Sequence, residues 1–399
     1  MLWLVVEGGH RRHRPILHRM ASHLGPHSHL LHTLALFSDA MLNTATGGWN
    51  QHCATRNAHN LSLGPYINKA TVKAFVRARA PQLRLAELLA YTEAAHLNYT
   101  EFVNQSYAQD LFFKAAHLTG GIARLRKGRL HCLKEPCAFP FPKARRAPNT
   151  AKFGGEAAGL MASACSAWLK SKVFGRSPQR VMYSAVQPGC LVEASLGIGS
   201  LGVRATPADI KVFCMHGRPV FFFVASHRFD ESWRGDGAMN TYFTIPGMRH
   251  LKVSKPRSPA ARDFALAERP APAYLPRLLR DAAALASGFE SVRVDFLQWS
   301  ETEYAFAELT FTDHACIKQD TFLPIGLEQL YGDLAYGRGN YSQMSNLALE
   351  NLQLEIVHEY ERAHTFACSN RTRLCGWECG GRFGCADLHR KLPYSCFRG

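Results

Sequence analysis

The segment from Ser291 to Phe311 most restricts what this chain can fold into. It reads SVRVDFLQWSETEYAFAELTF, and apolar residues alternate with polar ones along 292–299 and again along 304–311. A period of two is typical of half-buried strands, and the polar SETE stretch between the two runs predicts a tight turn. The segment therefore predicts an antiparallel β-hairpin.

The hairpin brings two acidic residues together. A turn centred on residues 301–302 predicts three cross-strand pairs, which are Asp295–Glu308, Leu297–Phe306 and Trp299–Tyr304. Directly opposite carboxylates lie about 5 Å apart and repel each other, so their pairing needs a reason. A shared Mg²⁺ supplies one, because this ion favours two carboxylates together with phosphate oxygens. Arg293 is predicted on the same face, where it could hold an anionic group. The alternative is a solvated face carrying salt links from Arg293 to both acids.

The charge of the chain points to an anionic partner. Its 399 residues include 47 Lys and Arg against 31 Asp and Glu, a formal net charge of +16. Nucleic acid is disfavoured as that partner, because no basic stripe alternates with aromatic residues as in single-strand binders. No run reaches 18 apolar residues, so no membrane-spanning helix is predicted.

Cysteines and glycosylation motifs favour a secretory lumen or an extracellular location. Five of the twelve cysteines fall within 368–396, and five Asn-x-Ser/Thr motifs begin at Asn60, Asn98, Asn104, Asn340 and Asn370. Both features are typical of oxidising compartments. The basic stretch 1–38 has no clear signal-peptide pattern, so a cytoplasmic or organellar location stays the alternative. The tail residues Cys375, Cys379, Cys385, His389 and Cys396 predict either disulfides or a zinc site.

The order of predicted elements indicates an α+β protein. Apolar strand patterns occur at 110–114, 122–125, 190–193, 209–215 and 220–225, and helical patterns at 157–173, 277–286 and 347–363. A further helix is predicted after Asn68, with its apolar face ending before Pro81. Strands mixed irregularly with helices favour α+β lobes over a doubly wound sheet.

A glycine pair follows one of these strands. Lys114 ends the strand, and Thr119-Gly120-Gly121 leads into the next. Glycines let backbone N–H groups approach phosphate, and a nearby lysine supplies the matching charge. The alternatives are a simple hairpin turn and a surface lysine on an edge strand.

Taken in order, several segments resemble a known family. These are NKATVKAFVRARAP, FFKAAHLTGGI, CLVEASLG, ADIKVFCMHGRPVFF and the hairpin, which together run from Asn68 to Gly337. Their order and spacing resemble the TupA-like branch of the ATP-grasp superfamily, named for a teichuronopeptide-biosynthesis protein. The resemblance implies a two-lobe ATP-grasp fold with antiparallel sheets, followed by the Cys-rich tail. It also implies five regions, namely a leader at 1–38, a loop and helical region at 39–108, a nucleotide-binding lobe at 109–196, a catalytic lobe at 197–362 and the tail at 363–399.

The resemblance also implies a set of site residues, with ATP and Mg²⁺ as cofactors. Lys114 would contact the nucleotide phosphates, and Gly120 and Gly121 would cover them. The stretch from Glu193 to Leu196 would pair with adenine, largely through its backbone. Asp295 and Glu308 would bind Mg²⁺, and Arg293 would stabilise the transferred phosphoryl group. Lys211, with Arg228 as a second candidate, would face the γ-phosphate or the substrate acid.

The implied activity is ATP-dependent joining of a carboxylate to an amine through an acyl-phosphate. The substrate would be an acidic small molecule, peptide or glycan, and the setting cell-surface or glycan polymer synthesis. Two features depart from the family pattern. Thr310 stands where many members have asparagine, and no lysine lies between Lys172 and Glu193, so Arg180 would have to substitute for one. The alternatives are a polysaccharide glycosyltransferase and a secreted binding or structural protein on an inactive core.

Overall fold

The computed structural model describes residues 49–94, 96–118, 120–134, 154–171, 180–196, 209–226, 239–251, 273–298, 302–312 and 325–369. The predictions for the 1–38 leader, for Arg228 and for the cysteines beyond residue 369, Cys375 to Cys396, lie outside these ranges. Within them, helices combine with two antiparallel sheets, which confirms the α+β prediction.

The helices of the described residues are α1 Trp49–Thr55, α2 Gly64–Ile67, α3 Val72–Arg79, α4 Tyr99–Gln105, α5 Gly154–Lys170, α6 Arg180–Ser184, α7 Leu275–Ala286, α8 Ile325–Ala335 and α9 Asn346–Ser369. Short 3₁₀ turns occur at Asn57–His59, Leu61–Leu63 and Gly339–Gln343. Asn68, the predicted N-cap of this helix, accepts hydrogen bonds from the backbone N–H groups of Ala70 and Thr71, but α3 begins three residues later than predicted, with Thr71 at the N-cap position.

A five-stranded sheet contains the first half of the strands. Its members are β1 Leu88–Thr92, β2 Leu111–Ala115, β3 Ile122–Arg126, β4 Arg129–Lys134 and β5 Cys190–Ala194, in the order β1-β5-β2-β3-β4. Leu111 and Phe113 face the core that α5 covers, where Phe113 packs on Trp168. Phe112 and Lys114 alternate with them and are only half buried. The sheet therefore has one closed face and one partly open face.

A six-stranded sheet contains the rest. Its members are β6 Asp209–Met215, β7 Arg218–Ser226, β8 Met239–Thr244, β9 His250–Leu251, β10 Ser291–Gln298 and β11 Tyr304–Thr310, in the order β11-β10-β6-β7-β8-β9. Residues of α3 and α7 share the core on one face. Residues of α1 and α8 share the core on the other. Polar side chains in the central strands of this sheet are therefore shielded from water.

A short segment, Arg84–Glu87, connects the two sheets. Its Arg84 carbonyl accepts the N–H of Phe306 in β11 at 2.9 Å, and its Glu87 carbonyl accepts the N–H of Ala194 in β5 at 3.0 Å. The two attachment points are three residues apart, which is about 11 Å at full extension. The segment therefore keeps the end of β5 close to the middle of β11.

The predicted hairpin is present, with one correction. Asp295 pairs with Glu308 as predicted, but Phe296 pairs with Phe306, Leu297 with Ala305 and Gln298 with Tyr304. The predicted Leu297–Phe306 and Trp299–Tyr304 pairs are therefore wrong. The register shift after Asp295 is a β-bulge, in which one extra residue of β11 is left without a partner.

The bulge changes which way the side chains of β11 point. Tyr304, Phe306, Leu309 and Phe311 all belong to one core, although strict alternation would place the first two and the last two on opposite faces. The extra residue restores the apolar face after Phe306 and leaves Glu308 on the other face, opposite Asp295.

Candidate functional site

A buried ion-pair cluster occupies one face of the six-stranded sheet. Arg293 and Asp295 are neighbours on the same side of β10, and two nitrogens of the guanidinium donate to the two carboxylate oxygens. Nε donates to Oδ1 at 2.7 Å and Nη2 to Oδ2 at 2.8 Å. Both residues are shielded from solvent, and the Arg293 guanidinium lies 6.0 Å from the ring centre of Phe213. This bidentate contact is among the stronger arrangements of charged hydrogen bonds.

Lys211 adds a second cation to the cluster. It lies on β6 directly beside Asp295, and its Nζ donates to Oδ2 of Asp295 at 2.5 Å. Asp209, two residues earlier on the same strand, lies 3.3 Å from the same Nζ. Lys211 is as deeply buried as its partners. The predicted residues Lys211, Arg293 and Asp295 thus form one contact group.

The cations control the ionisation of Asp295. Burial alone would raise its pKa, but the charges of Arg293 and Lys211 outweigh burial and lower the pKa from 3.8 to about 2. Burial acts to lower the pKa of Arg293, and Asp295 more than offsets this, so that pKa lies above its ordinary value. Asp295 is therefore a carboxylate held ionised in a dry site.

Glu308 is the accessible acid of the cluster. Its side chain is 43% exposed, and Oε1 lies 3.7 Å from Nη2 of Arg293. Thr310 accepts from the same Nη2 at 3.1 Å and lies 3.3 Å from Oε1. Asp295 and Glu308 therefore contact one guanidinium nitrogen and lie on the same side of the sheet. The predicted salt-link alternative is present as well, but on a face that is solvated only at Glu308.

A second ionic cluster lies on the five-stranded sheet. Glu193 in β5 is buried and accepts from two lysines, with Oε1 2.7 Å from Nζ of Lys73 and Oε2 in contact with Nζ of Lys114. Lys73 comes from α3, and its Nζ also donates to the carbonyl of Ala86 at 2.6 Å. Lys114 reaches outward with 23% of its side chain exposed, 5.4 Å from the ring centre of Phe112.

Charge also decides the ionisation of this second cluster. Burial favours neutral Glu193, but the two lysines outweigh it and hold its pKa below the ordinary value. Burial lowers the pKa of Lys73, and the attraction of Glu193 offsets this only in part. The three side chains carry two positive charges and one negative charge.

The predicted glycine loop packs tightly beside Lys114. Gly121 has a φ of +65°, which favours glycine, and its carbonyl accepts the N–H of Ala115 at 2.8 Å. A Cβ at Gly121 would lie 3.0 Å from the Cβ of Ala115 and 3.1 Å from the indole of Trp168. Nζ of Lys69 donates to the carbonyls of Ala115 and Leu118 and so ties together the residues on the N-terminal side of the loop. Gly120 is buried as well.

The predicted adenine-pairing stretch is largely occupied by internal hydrogen bonds. The N–H of Ala194 donates to Glu87 at 3.0 Å, and the N–H of Ser195 donates to the carbonyl of Asp110 at 2.9 Å. The side chain of Glu193 is held by the lysines, as above. Leu196 is the last described residue before a gap at 197–208. The adenine contact of this stretch stays a prediction.

Sequence reasoning missed several residues of these clusters. Lys73 looks like one more basic residue of a predicted helix, and its contact with Glu193 joins positions 120 residues apart. Asp209 lies two residues before Lys211, a spacing that places both on one strand face and could have been recognised. Tyr183 packs against the cores of both sheets. Burial raises its pKa, and the charge of Glu308 raises it further.

Metal-binding clusters and membrane-spanning helices are both absent from the described residues. In that part of the chain, three or more His, Cys, Asp or Glu side chains do not gather in a way that could hold a metal ion. No helix there is both long and apolar enough to cross a membrane.

Comparisons with known proteins gave matches among solved structures. No family model matches the chain, and no curated protein matches it. The ATP-grasp ligase PsnB, complexed with minimal precursor, Mg and ADP, matches at 14% identity and a TM-score of 0.30, over 71% of this chain and 60% of that one. D-alanyl-alanine synthetase A from Vibrio cholerae matches at 12% identity and a TM-score of 0.32, over 73% and 65%.

D-alanine–D-alanine ligase from Bacillus anthracis, complexed with ATP, matches at 10% identity and a TM-score of 0.32, over 76% of this chain and 68% of that one. Of these three structures, one is described as an ATP-grasp ligase, and the other two are a D-alanyl-alanine synthetase and a D-alanine–D-alanine ligase. The matched part spans less than two thirds of PsnB and of the Vibrio enzyme.

Proposed function

We propose that this protein is a Mg-ATP-dependent carboxylate–amine ligase of the TupA-like ATP-grasp type. The observation that carries the proposal is the contact group of Arg293, Asp295, Glu308 and Lys211 on one sheet face. These are the residues that the sequence resemblance marks for metal binding and phosphoryl transfer. Lys114 beside the glycine loop, on the partly open face of the other sheet, supports the same function.

The residues supply the parts that phosphoryl transfer needs. Such reactions depend on positioning and on neutralising charge, and they need no nucleophilic side chain. In the proposed reaction a substrate carboxylate oxygen attacks the γ-phosphorus of ATP, and ADP leaves. An amine then attacks the acyl carbon, loses a proton and displaces phosphate. Lys114 and Lys211 would bind phosphate oxygens, and Arg293 would orient the transferred group.

Two acidic residues, Asp295 and Glu308, would hold the divalent cation together with phosphate oxygens. The exposed Glu308 offers a ready oxygen. Asp295 already accepts three charge-assisted hydrogen bonds. Lys211 would have to transfer from Asp295 to a phosphate before Asp295 could act as a ligand. When bound, Mg²⁺ would neutralise phosphate charge.

Binding of Mg-ATP is the first test of the proposal. The wild-type protein is titrated with Mg-ATP and with Mg-GTP by calorimetry, and Lys114→Met is compared with Arg126→Met on the same sheet. Arg126 is a matched control because it is a half-exposed cation of β3 that pairs with Asp110. We expect Lys114→Met to weaken ATP binding at least tenfold and Arg126→Met to leave it unchanged. Equal effects of the two variants would contradict the assigned phosphate site.

Turnover separates a ligase from an inactive nucleotide-binding protein. ADP release is measured with a panel of amino acids, peptides and acidic glycans, with wild type and with Glu308→Gln. A ligase releases ADP only when an acceptor is present, and Glu308→Gln should lower that rate strongly while the protein stays folded. ATP binding without ADP release for any acceptor would instead favour the inactive core.

We also propose that the protein is a glycoprotein of the secretory lumen or the extracellular space. Asn60, Asn98, Asn104 and Asn340 begin the glycosylation motifs within the described residues, and all four are exposed, as a glycan requires. The disulfide between Cys165 and Cys190 fits the same location. Protein purified from its natural source should lose mass on treatment with peptide N-glycosidase. An unchanged mass would contradict this location.

A further inference from the structure

The ionic cluster on the five-stranded sheet holds its three members differently. Lys73 is buried and has two fixed acceptors, Glu193 at 2.7 Å and the Ala86 carbonyl at 2.6 Å. Lys114 shares Glu193 but reaches the half-open face of the sheet. Lys114 is therefore the member placed to meet a ligand, whereas Lys73 and Glu193 lie behind it.

We propose that Glu193 is a positioning residue for Lys114, and that Lys73 sets how strongly Glu193 holds it. This inference rests on the proposed function, in which Lys114 contacts the phosphates of ATP. A buried carboxylate facing Lys114 alone would cancel its charge and compete with phosphate for its ammonium group. Lys73 takes one oxygen of that carboxylate and leaves the trio with a net positive charge. The site then attracts a polyphosphate while Lys114 stays in a fixed position.

The proposal gives Lys73 the part that the resemblance left open. A second basic residue near the nucleotide was expected just before Glu193 in sequence, with Arg180 as the substitute. The structure instead brings Lys73 from α3 to Glu193. Its effect on phosphate would be electrostatic and indirect, because Glu193 lies between it and the ligand face.

Four variants test the charge argument, each titrated with Mg-ATP and with inorganic tripolyphosphate. Lys73→Met removes one positive charge, and we expect both ligands to bind about tenfold more weakly, as for one charge acting over several ångströms. Lys73→Arg keeps the charge and should bind within about threefold of wild type. Glu193→Gln releases Lys114, so binding should not weaken, but the turnover number should fall more than the KM for ATP rises.

The double variant Lys73→Met/Glu193→Gln separates charge from structure. It restores the net charge of the trio, and we expect ATP and tripolyphosphate affinity within about threefold of wild type. If Lys73 only stabilises the fold, the double variant should bind no better than Lys73→Met, and that result overturns the inference. Should Lys73→Met fail to fold, the double variant and Lys73→Arg decide the question by the same thresholds.

The outcomes also separate this inference from the function on which it rests. Wild-type protein that binds neither Mg-ATP nor tripolyphosphate overturns both. If wild type and Lys73→Met bind Mg-ATP equally tightly, only the positioning role is overturned. The ligase proposal then still stands. Circular dichroism and thermal melting of every variant show whether a loss of binding comes with a loss of folded protein.

Discussion

Replacing Asp295 with asparagine should destabilise the protein strongly, whatever it does to activity. Asp295 accepts hydrogen bonds from Nε and Nη2 of Arg293 and from Nζ of Lys211, and this cluster is shielded from solvent. Asparagine keeps the shape but removes the negative charge, and its amide N–H groups would face further donors. The nearest acids that remain for Arg293 and Lys211 would be Glu308, 3.7 Å from Arg293, and Asp209, 3.3 Å from Lys211.

Two estimates give the size of the loss. Removing one partner from a buried ion pair costs about 3–5 kcal/mol. The drop in the pKa of Asp295 from 3.8 to about 2 corresponds to about 2–3 kcal/mol of favourable interaction with the ionised form. We therefore expect Asp295→Asn to lower the free energy of unfolding by about 3 kcal/mol at pH 7.

The assay is denaturant unfolding followed by tryptophan fluorescence, with Glu308→Gln as the matched control. Glu308 lies opposite Asp295, but it is 43% exposed and has one long contact with Arg293, so its loss should cost less than about 1 kcal/mol. The pH dependence provides a second check. The stabilisation from Asp295 is present above pH 4 and disappears as the pH falls through the native pKa near 2. Wild type and Asp295→Asn should therefore reach the same free energy of unfolding near pH 2.

The reasoning would be refuted if Asp295→Asn and Glu308→Gln cost the same, or if Asp295→Asn cost less than about 1 kcal/mol. Either result would mean that the cluster is wetter than its burial indicates. The expected loss also bears on tests of catalysis. Because Asp295→Asn should change stability and activity together, Glu308→Gln is the better variant for testing the acidic pair as a metal site.

Three further changes test other parts of the structure. The disulfide Cys165–Cys190 closes a loop with a sequence separation of 25, and replacing both cysteines with alanine should cost about 3 kcal/mol; full retention of the melting temperature would contradict this. Burial holds the pKa of His52 below 6.5, so the unfolded chain takes up more protons, and stability should fall as the pH drops through 6.5. His52→Gln should flatten that slope, and an unchanged slope would rule His52 out as its source. Gly121→Ala should cost about 1–2 kcal/mol, because its φ of +65° and its contact with Trp168 leave no room for a methyl group. Gly159→Ala, with open space around it in α5, should be neutral or stabilising, and equal melting shifts for the two alanines would sink the argument.

The alternation of residues predicted much of the fold and part of the site. A period of two identified the strands. The register predicted from the turn position was one residue off near the turn, and the Asp295–Glu308 pair is correct because the bulge shifts the register back before that pair. The bulge in β11 was missed, although apolar residues at Tyr304 and Phe306 followed by Leu309 and Phe311 show a jump of three where two was expected. That irregularity is readable from the sequence once bulges are considered.

Contacts between distant segments could not be predicted in the same way. Alternation indicates which side chains share a face, but not which helix covers that face. Lys73 and Glu193 meet because the side chain of Lys73 reaches β5 from α3, whose apolar residues belong to the core of the other sheet, and no residue near either position indicates that contact. The burial of Arg293 and Lys211 likewise depends on helices that come from both ends of the chain.

The segment Arg84–Glu87 has a mechanical consequence. Because it is fastened to β11 at one end and to β5 at the other, it sets the distance between these two strands. The strands cannot move further apart than its extended length without breaking one of the two attachments. Adding a single residue there would lengthen the segment by more than 3 Å and relax the spacing of the two sheets by the same amount.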